Sequence, residues 1–133
     1  MKNKVFCVGF HKTATSSLCA ALEYLGFRVK GYEIITDYDD LKVRADRYMS
    51  HYDVLRDMPW PIAYEWFDNK YENAKFILTE RNEKDWINSI QNHFGRGSHE
   101  MHEWVYGSVD PFSDKGKFLK VYRDHNKNVK KIL

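Results

Sequence analysis

The chain holds two cysteines, three prolines and seven glycines among its 133 residues. Cys7 and Cys19 stand apart, in an apolar strand-like run and in a helical pattern, with no spacing suited to zinc or to a disulfide framework. Both are expected to be buried, reduced thiols. No low-complexity tract or internal repeat occurs. No apolar run is long enough to span a bilayer. The run after Lys2 and Lys4 ends at Phe10, too short for the core of a secretory leader. Charge of one sign is also lacking, since the formal net charge is +2. These absences exclude a disulfide scaffold and a membrane span, and the chain reads as cytoplasmic, with no membrane or nucleic-acid partner expected.

What is present suits one packed domain over 1–133: 43% hydrophobic and 16% aromatic residues, enough for a core. Charge is unevenly spread. Residues 33–73 carry ten acids against five bases, and residues 115–133 seven bases against one acid. The basic end reads first as a solvated helix face and second as a surface for an anionic ligand.

Val5–Val8 is a short buried strand that stops at Gly9. Leu18, Ala21, Leu22 and Leu25 then recur at helical spacing until Gly26. A second strand is expected at 27–29, and a loop with one or two helical turns over 32–50. A third strand is expected over 51–56, ending at Asp57, and a helix follows from Pro61. Residues 75–80, KFILTE, form another strand. Asn82 reads as the N-cap of a helix whose face is Trp86, Ile87, Ile90 and Phe94, with Gly95 as its stop. Residues 95–112 read as an irregular connection. Ser113 is the expected cap of a last helix with a stripe of Phe118, Tyr122, His125, Val129 and Ile132. Alternating strands and helices are the grammar of an α/β fold with a parallel sheet.

The junction of the first strand and helix reads VGFHKTATSSL. Four hydroxyl residues, Thr13, Thr15, Ser16 and Ser17, crowd behind Lys12. A loop leading into a helix N-terminus offers unpaired N–H groups and the positive end of the helix dipole. Small residues admit an anion to that backbone, hydroxyls add donors and the lysine adds a charge. Capping alone needs one such residue. The triphosphate-binding pattern, glycine, four residues, then Gly-Lys, is not met, because Lys12 comes three residues after Gly9 and no second glycine precedes it.

The stretch Lys12-Thr13-Ala14-Thr15-Ser16-Ser17 resembles the 5′-phosphosulfate loop of sulfotransferases, with Ala14 where that family usually carries glycine. KFILTERNEKDWINSIQNHF resembles the same family's 3′-phosphate motif, with Arg81 at a strand end and Ser89 eight residues on. Asp57-Met58-Pro59 and the aromatic-rich segment after it extend the resemblance across residues 5 to 94. It implies a P-loop-type three-layer α/β/α fold and 3′-phosphoadenosine 5′-phosphosulfate as co-substrate, with no metal expected. His11, Lys12, Thr13, Ala14, Thr15, Ser16, Ser17, Arg81 and Ser89 would bind the co-substrate. Lys12 would also serve catalysis by stabilising the leaving oxygen. Asp57 is the first choice of general base, with His11 and His93 as alternatives.

Trp60, Tyr64, Trp66 and Trp104 either line an acceptor pocket or belong to the core. The acceptor, a small molecule or carbohydrate, would be selected by the loops 32–50 and 95–112. The family's further basic, glycine-containing loop over the adenine is not evident, so the domain is expected to be short at its C-terminal part. The other readings are a nucleotide-binding module without turnover and a small P-loop kinase using ATP.

Overall fold

In the computed structural model, residues 3–96 and 99–133 are described. Four short strands form one parallel sheet in the order β2-β3-β1-β4: β1 is Val5–Cys7, β2 Val29–Lys30, β3 Val54–Leu55 and β4 Lys75–Ile77. Val5 stands opposite Val54 on one side and Lys75 on the other, and Val29 pairs with Val54.

The alternation of β1 explains the layers. Side chains alternate across a strand, so Val5 and Cys7 pack with Leu22 of α1 (Thr15–Tyr24), while Phe6 and Val8 face the opposite side. That second side is covered by Leu41 and Ala45 of α2 (Tyr38–Tyr48), Phe67 of α3 (Tyr64–Lys70) and Val129 of α6 (Lys115–Ile132). Both faces of the sheet are thus buried, as parallel sheets require, in the expected α/β/α arrangement. A further apolar cluster joins Phe10, Met58, Trp86 of α4 (Glu83–Phe94), Tyr106 of α5 (His102–Tyr106) and Tyr122 of α6.

Several elements match their sequence signals. Asn82 caps α4, accepting from the Asp85 amide at 2.9 Å, and Gly95 ends it at φ 63°. Others differ. The 32–50 segment holds an eleven-residue helix, α2, because Asp37 caps it through the Asp40 amide at 2.8 Å and Leu41 and Ala45 are fully buried. The 95–112 connection contains α5; residues 97 and 98 of that stretch lie outside the described residues, as does Lys2. Ser113 does not cap α6: its hydroxyl donates to Asp110 and the N-cap is Asp114. Ile132 is exposed, so the buried stripe stops at Val129. Cys7 is buried as expected, but Cys19 is partly exposed and donates to Glu23 at 3.4 Å.

Trp60 and Tyr64 are core residues, and Trp66 and Trp104 pack against the same cluster. Two of the four aromatics are therefore interior and the other two, partly exposed, pack against them; none lines the cleft described below. No helix among the described residues is long and apolar enough to cross a membrane.

Candidate functional site

In open parallel sheets, ligands sit beyond the carboxyl ends of the strands, where the strand order changes direction. Here the chain leaves β1 towards one edge and later crosses to the other edge as β4, so the loops after β1 and β4 emerge side by side. A cleft of about 570 Å³ opens there, with His11, Lys12, Thr15, Asp57, Arg81 and Ser89 in its wall.

The β1–α1 loop is held from within. Gly9 packs against β4's continuation so closely that a β-carbon would stand 2.1 Å from Thr79 Oγ1. Thr13, almost fully buried, donates from Oγ1 to the Phe10 carbonyl at 2.5 Å and shares a 2.7 Å hydrogen bond with Thr79 Oγ1. The indole N–H of Trp86 donates to the His11 carbonyl at 3.0 Å. Thr13 therefore secures the loop, and its hydroxyl is turned inward rather than to the cleft.

Two loop residues adopt left-handed backbone, Lys12 at φ 62° and Ala14 at φ 66°. Ala14 is the N-cap of α1 and supplies no capping side chain. None of the four hydroxyls caps the helix, so the orphan N–H groups of its first turn are left for the cleft. Ala14, Thr15, Ser16 and Ser17 all line it, with Ser16 and Ser17 solvent-exposed. Thr15 is buried, and its Oγ1 accepts from the Arg56 guanidinium at 3.1 Å.

The β4–α4 segment brings Arg81. Its backbone is clamped by Tyr122, whose hydroxyl accepts from the Arg81 amide at 2.9 Å and donates to the Arg81 carbonyl at 2.8 Å. Its guanidinium reaches the other loop, donating to the Lys12 carbonyl at 3.4 Å. Ser89, two turns into α4, shares the wall. The two motifs read separately in the sequence thus meet at one cleft, 69 residues apart in the chain.

Asp57 also lines the cleft, at φ 70°. Its Oδ1 accepts from the Met58 amide at 2.7 Å, and Oδ2 lies 3.8 Å from the Arg56 guanidinium. His11 is differently placed. Its ring is buried, with Nε2 2.8 Å from the Tyr106 hydroxyl. Burial, then the neighbouring His102 and His99, push its pKa well down, and burial pushes Tyr106 well up. Both are therefore neutral, and the His11 ring carries no charge to offer an anion. His93 lies in the cleft wall.

Sequence reasoning missed Tyr32, Phe94 and His99, which complete the wall. Tyr32 and His99 come from the two loops expected to select the acceptor, and their side chains approach at 3.3 Å between the Tyr32 hydroxyl and His99 Nε2. No periodicity or motif marks such loop residues, because they meet only through the fold. Among the described residues no group of three or more His, Cys, Asp or Glu side chains is placed to hold a metal ion.

The sequence matches the family described as sulfotransferase domain over residues 4–45 and 40–133. A search of curated proteins gave no match. With a parallel sheet between helix layers and nearly the whole length matched, the chain belongs to the sulfotransferase domain family.

Proposed function

We propose that this chain transfers a sulfonate group from 3′-phosphoadenosine 5′-phosphosulfate to an acceptor hydroxyl or amine. The meeting of the Arg81 and Lys12 segments carries this reading: both residues line one cleft, and the Arg81 guanidinium donates to the Lys12 backbone carbonyl at 3.4 Å. A nucleotide with an anionic group at each end suits that layout, and the uncapped first turn of α1 suits its 5′ end.

When bound, the co-substrate supplies an activated sulfonate on a phosphate leaving group. The amides of residues 13–17 and the α1 dipole hold the 5′-phosphate end, and the Lys12 ammonium offsets negative charge growing on the departing oxygen. Arg81 grips the 3′-phosphate with its planar fork, and Ser89 adds a hydroxyl donor. Asp57 accepts the acceptor's proton at Oδ2, since Oδ1 is already engaged by the Met58 amide. The neutral, buried His11 ring is committed to Tyr106 and does not take that role. Tyr32, Phe94 and His99 orient a small-molecule or carbohydrate acceptor.

Calorimetry with 3′-phosphoadenosine 5′-phosphate, without magnesium, tests the reading. Binding is expected for the unaltered chain, weakened at least about tenfold in Lys12→Ala and in Arg81→Ala. No binding, with ATP and magnesium bound instead, would overturn it in favour of a P-loop kinase.

A further inference from the structure

Arg56 lies behind the cleft rather than in its wall. Its backbone N–H donates to the Lys30 carbonyl at 3.0 Å, which fixes the residue beyond the end of β3. Its side chain turns towards the first turn of α1. There it meets Thr15 and Cys19, one turn apart on one helix face. Gly31 lies alongside it: a β-carbon there would stand 3.5 Å from the guanidinium, in ordinary van der Waals contact.

This is an unfavourable place for a cation. The N-terminal end of a helix carries positive partial charge and repels a guanidinium. Burial compounds the cost: the Arg56 Nε is shielded from solvent and has no hydrogen-bond partner. Asp57 compensates weakly, at 3.8 Å from the same nitrogen that bonds Thr15. A cation held against the dipole becomes favourable when an anion occupies the loop on the other side.

The bond to Thr15 has a directional consequence. A hydroxyl has one proton to donate. The Arg56 nitrogen donates to Thr15 Oγ1, so that oxygen serves as acceptor on the inner side and its proton is free for the cleft, which Thr15 lines. A neighbouring cation also polarises that O–H and strengthens it as a donor.

We infer that Arg56 is a positioning residue for the anion loop, aiming the Thr15 hydroxyl at the 5′-phosphosulfate end of the bound nucleotide and adding a second layer of positive charge behind it. The inference rests on the function proposed above. It concerns a residue outside both sulfotransferase motifs, which acts through Thr15 without touching the ligand.

The experiment is a double-mutant cycle on 3′-phosphoadenosine 5′-phosphate binding, read by calorimetry, with thermal melts as a check on folding. Arg56→Met and Thr15→Val are each expected to weaken binding by about tenfold, as loss of a charge-linked hydrogen bond does. The double variant should bind about as weakly as Arg56→Met alone, because the two residues act in series. Thr15→Ser keeps the hydroxyl and should retain the original affinity within about threefold. This last comparison leaves the guanidinium intact and tests only whether the nucleotide needs the Thr15 hydroxyl; if Arg56→Met fails to fold, Arg56→Gln, uncharged and of similar length, takes its place in the cycle. Unchanged affinity in Arg56→Met or in Thr15→Val, beside a loss in Lys12→Ala, would overturn the inference and leave the proposed function standing. Fully additive losses of about a hundredfold would overturn the link through Thr15. No binding by the unaltered chain would overturn the proposed function and this inference with it.

Discussion

Gly9 and Thr79 stand so close that a β-carbon on residue 9 would lie 2.1 Å from the threonine hydroxyl and 2.6 Å from its carbonyl oxygen. The second of these atoms is backbone and cannot rotate away. Gly9→Ala is expected to push β1's loop off the end of β4 and to destabilise the fold by about 3 kcal/mol, in the upper range for overpacking. Urea denaturation measures the stability and calorimetry the accompanying loss of nucleotide binding.

Ala14 takes the opposite sign. At φ 66° its side chain bears left-handed strain that glycine does not. Ala14→Gly is therefore expected to stabilise the chain by about 0.5–1 kcal/mol, the relief of strain outweighing the greater freedom of the unfolded glycine. A rise in the urea midpoint at unchanged slope would show it. A fall would mean that the loop relaxes without help.

Tyr122 carries the Arg81 backbone on one oxygen while its ring stacks on Trp86 at 4.0 Å between centroids. Tyr122→Phe keeps the stack and removes both hydrogen bonds. A loss of about 2 kcal/mol in stability is expected, with several-fold weaker nucleotide binding because Arg81 is no longer aimed. An unchanged affinity would separate the position of the Arg81 side chain from that of its backbone.

The histidine cluster gives a pH dependence. His102 is buried and neither ring nitrogen has a hydrogen-bond partner. Burial, and then the neighbouring His99, lower its pKa from 6.5 to about 4, against an opposing pull from Glu100. The folded state binds this proton less readily than the unfolded state. Its contribution is fully present above about pH 6.5 and is lost as pH falls towards 4. His102 alone should remove about 2 kcal/mol between pH 7 and pH 5. His11 and His99, both lowered chiefly by burial, act in the same direction. His102→Phe, set among the rings of Tyr106 and Phe118, should flatten the pH profile of urea stability.

The parts legible in the sequence are those with local causes. The strand before Gly9, the Asn82 cap and the order of Lys12, Arg81 and Ser89 each follow from neighbouring residues. α2 was harder to read because its apolar face is thin: Leu41 and Ala45 are buried, whereas Val43 is 59% exposed. The fate of the hydroxyl crowd also needed the fold. Thr13 turns inward and Thr15 turns to Arg56 because of partners 66 and 41 residues away. Arg56 itself carries no local mark, since a lone arginine at a strand end is an ordinary surface residue until α1 is placed against it. Tyr32 and His99 became visible only when their loops came together.

The ties that shape the β1–α1 loop come from late in the chain: Thr79, Trp86 and, through Arg81, Tyr122. During synthesis the loop's own residues emerge first and wait for more than a hundred others before their backbone can settle. A nascent chain that has not reached α6 should hold no nucleotide, although every residue of the loop is already present. If the cleft takes the nucleotide as proposed, ligand capture by ribosome-bound chains would then report the docking of α6.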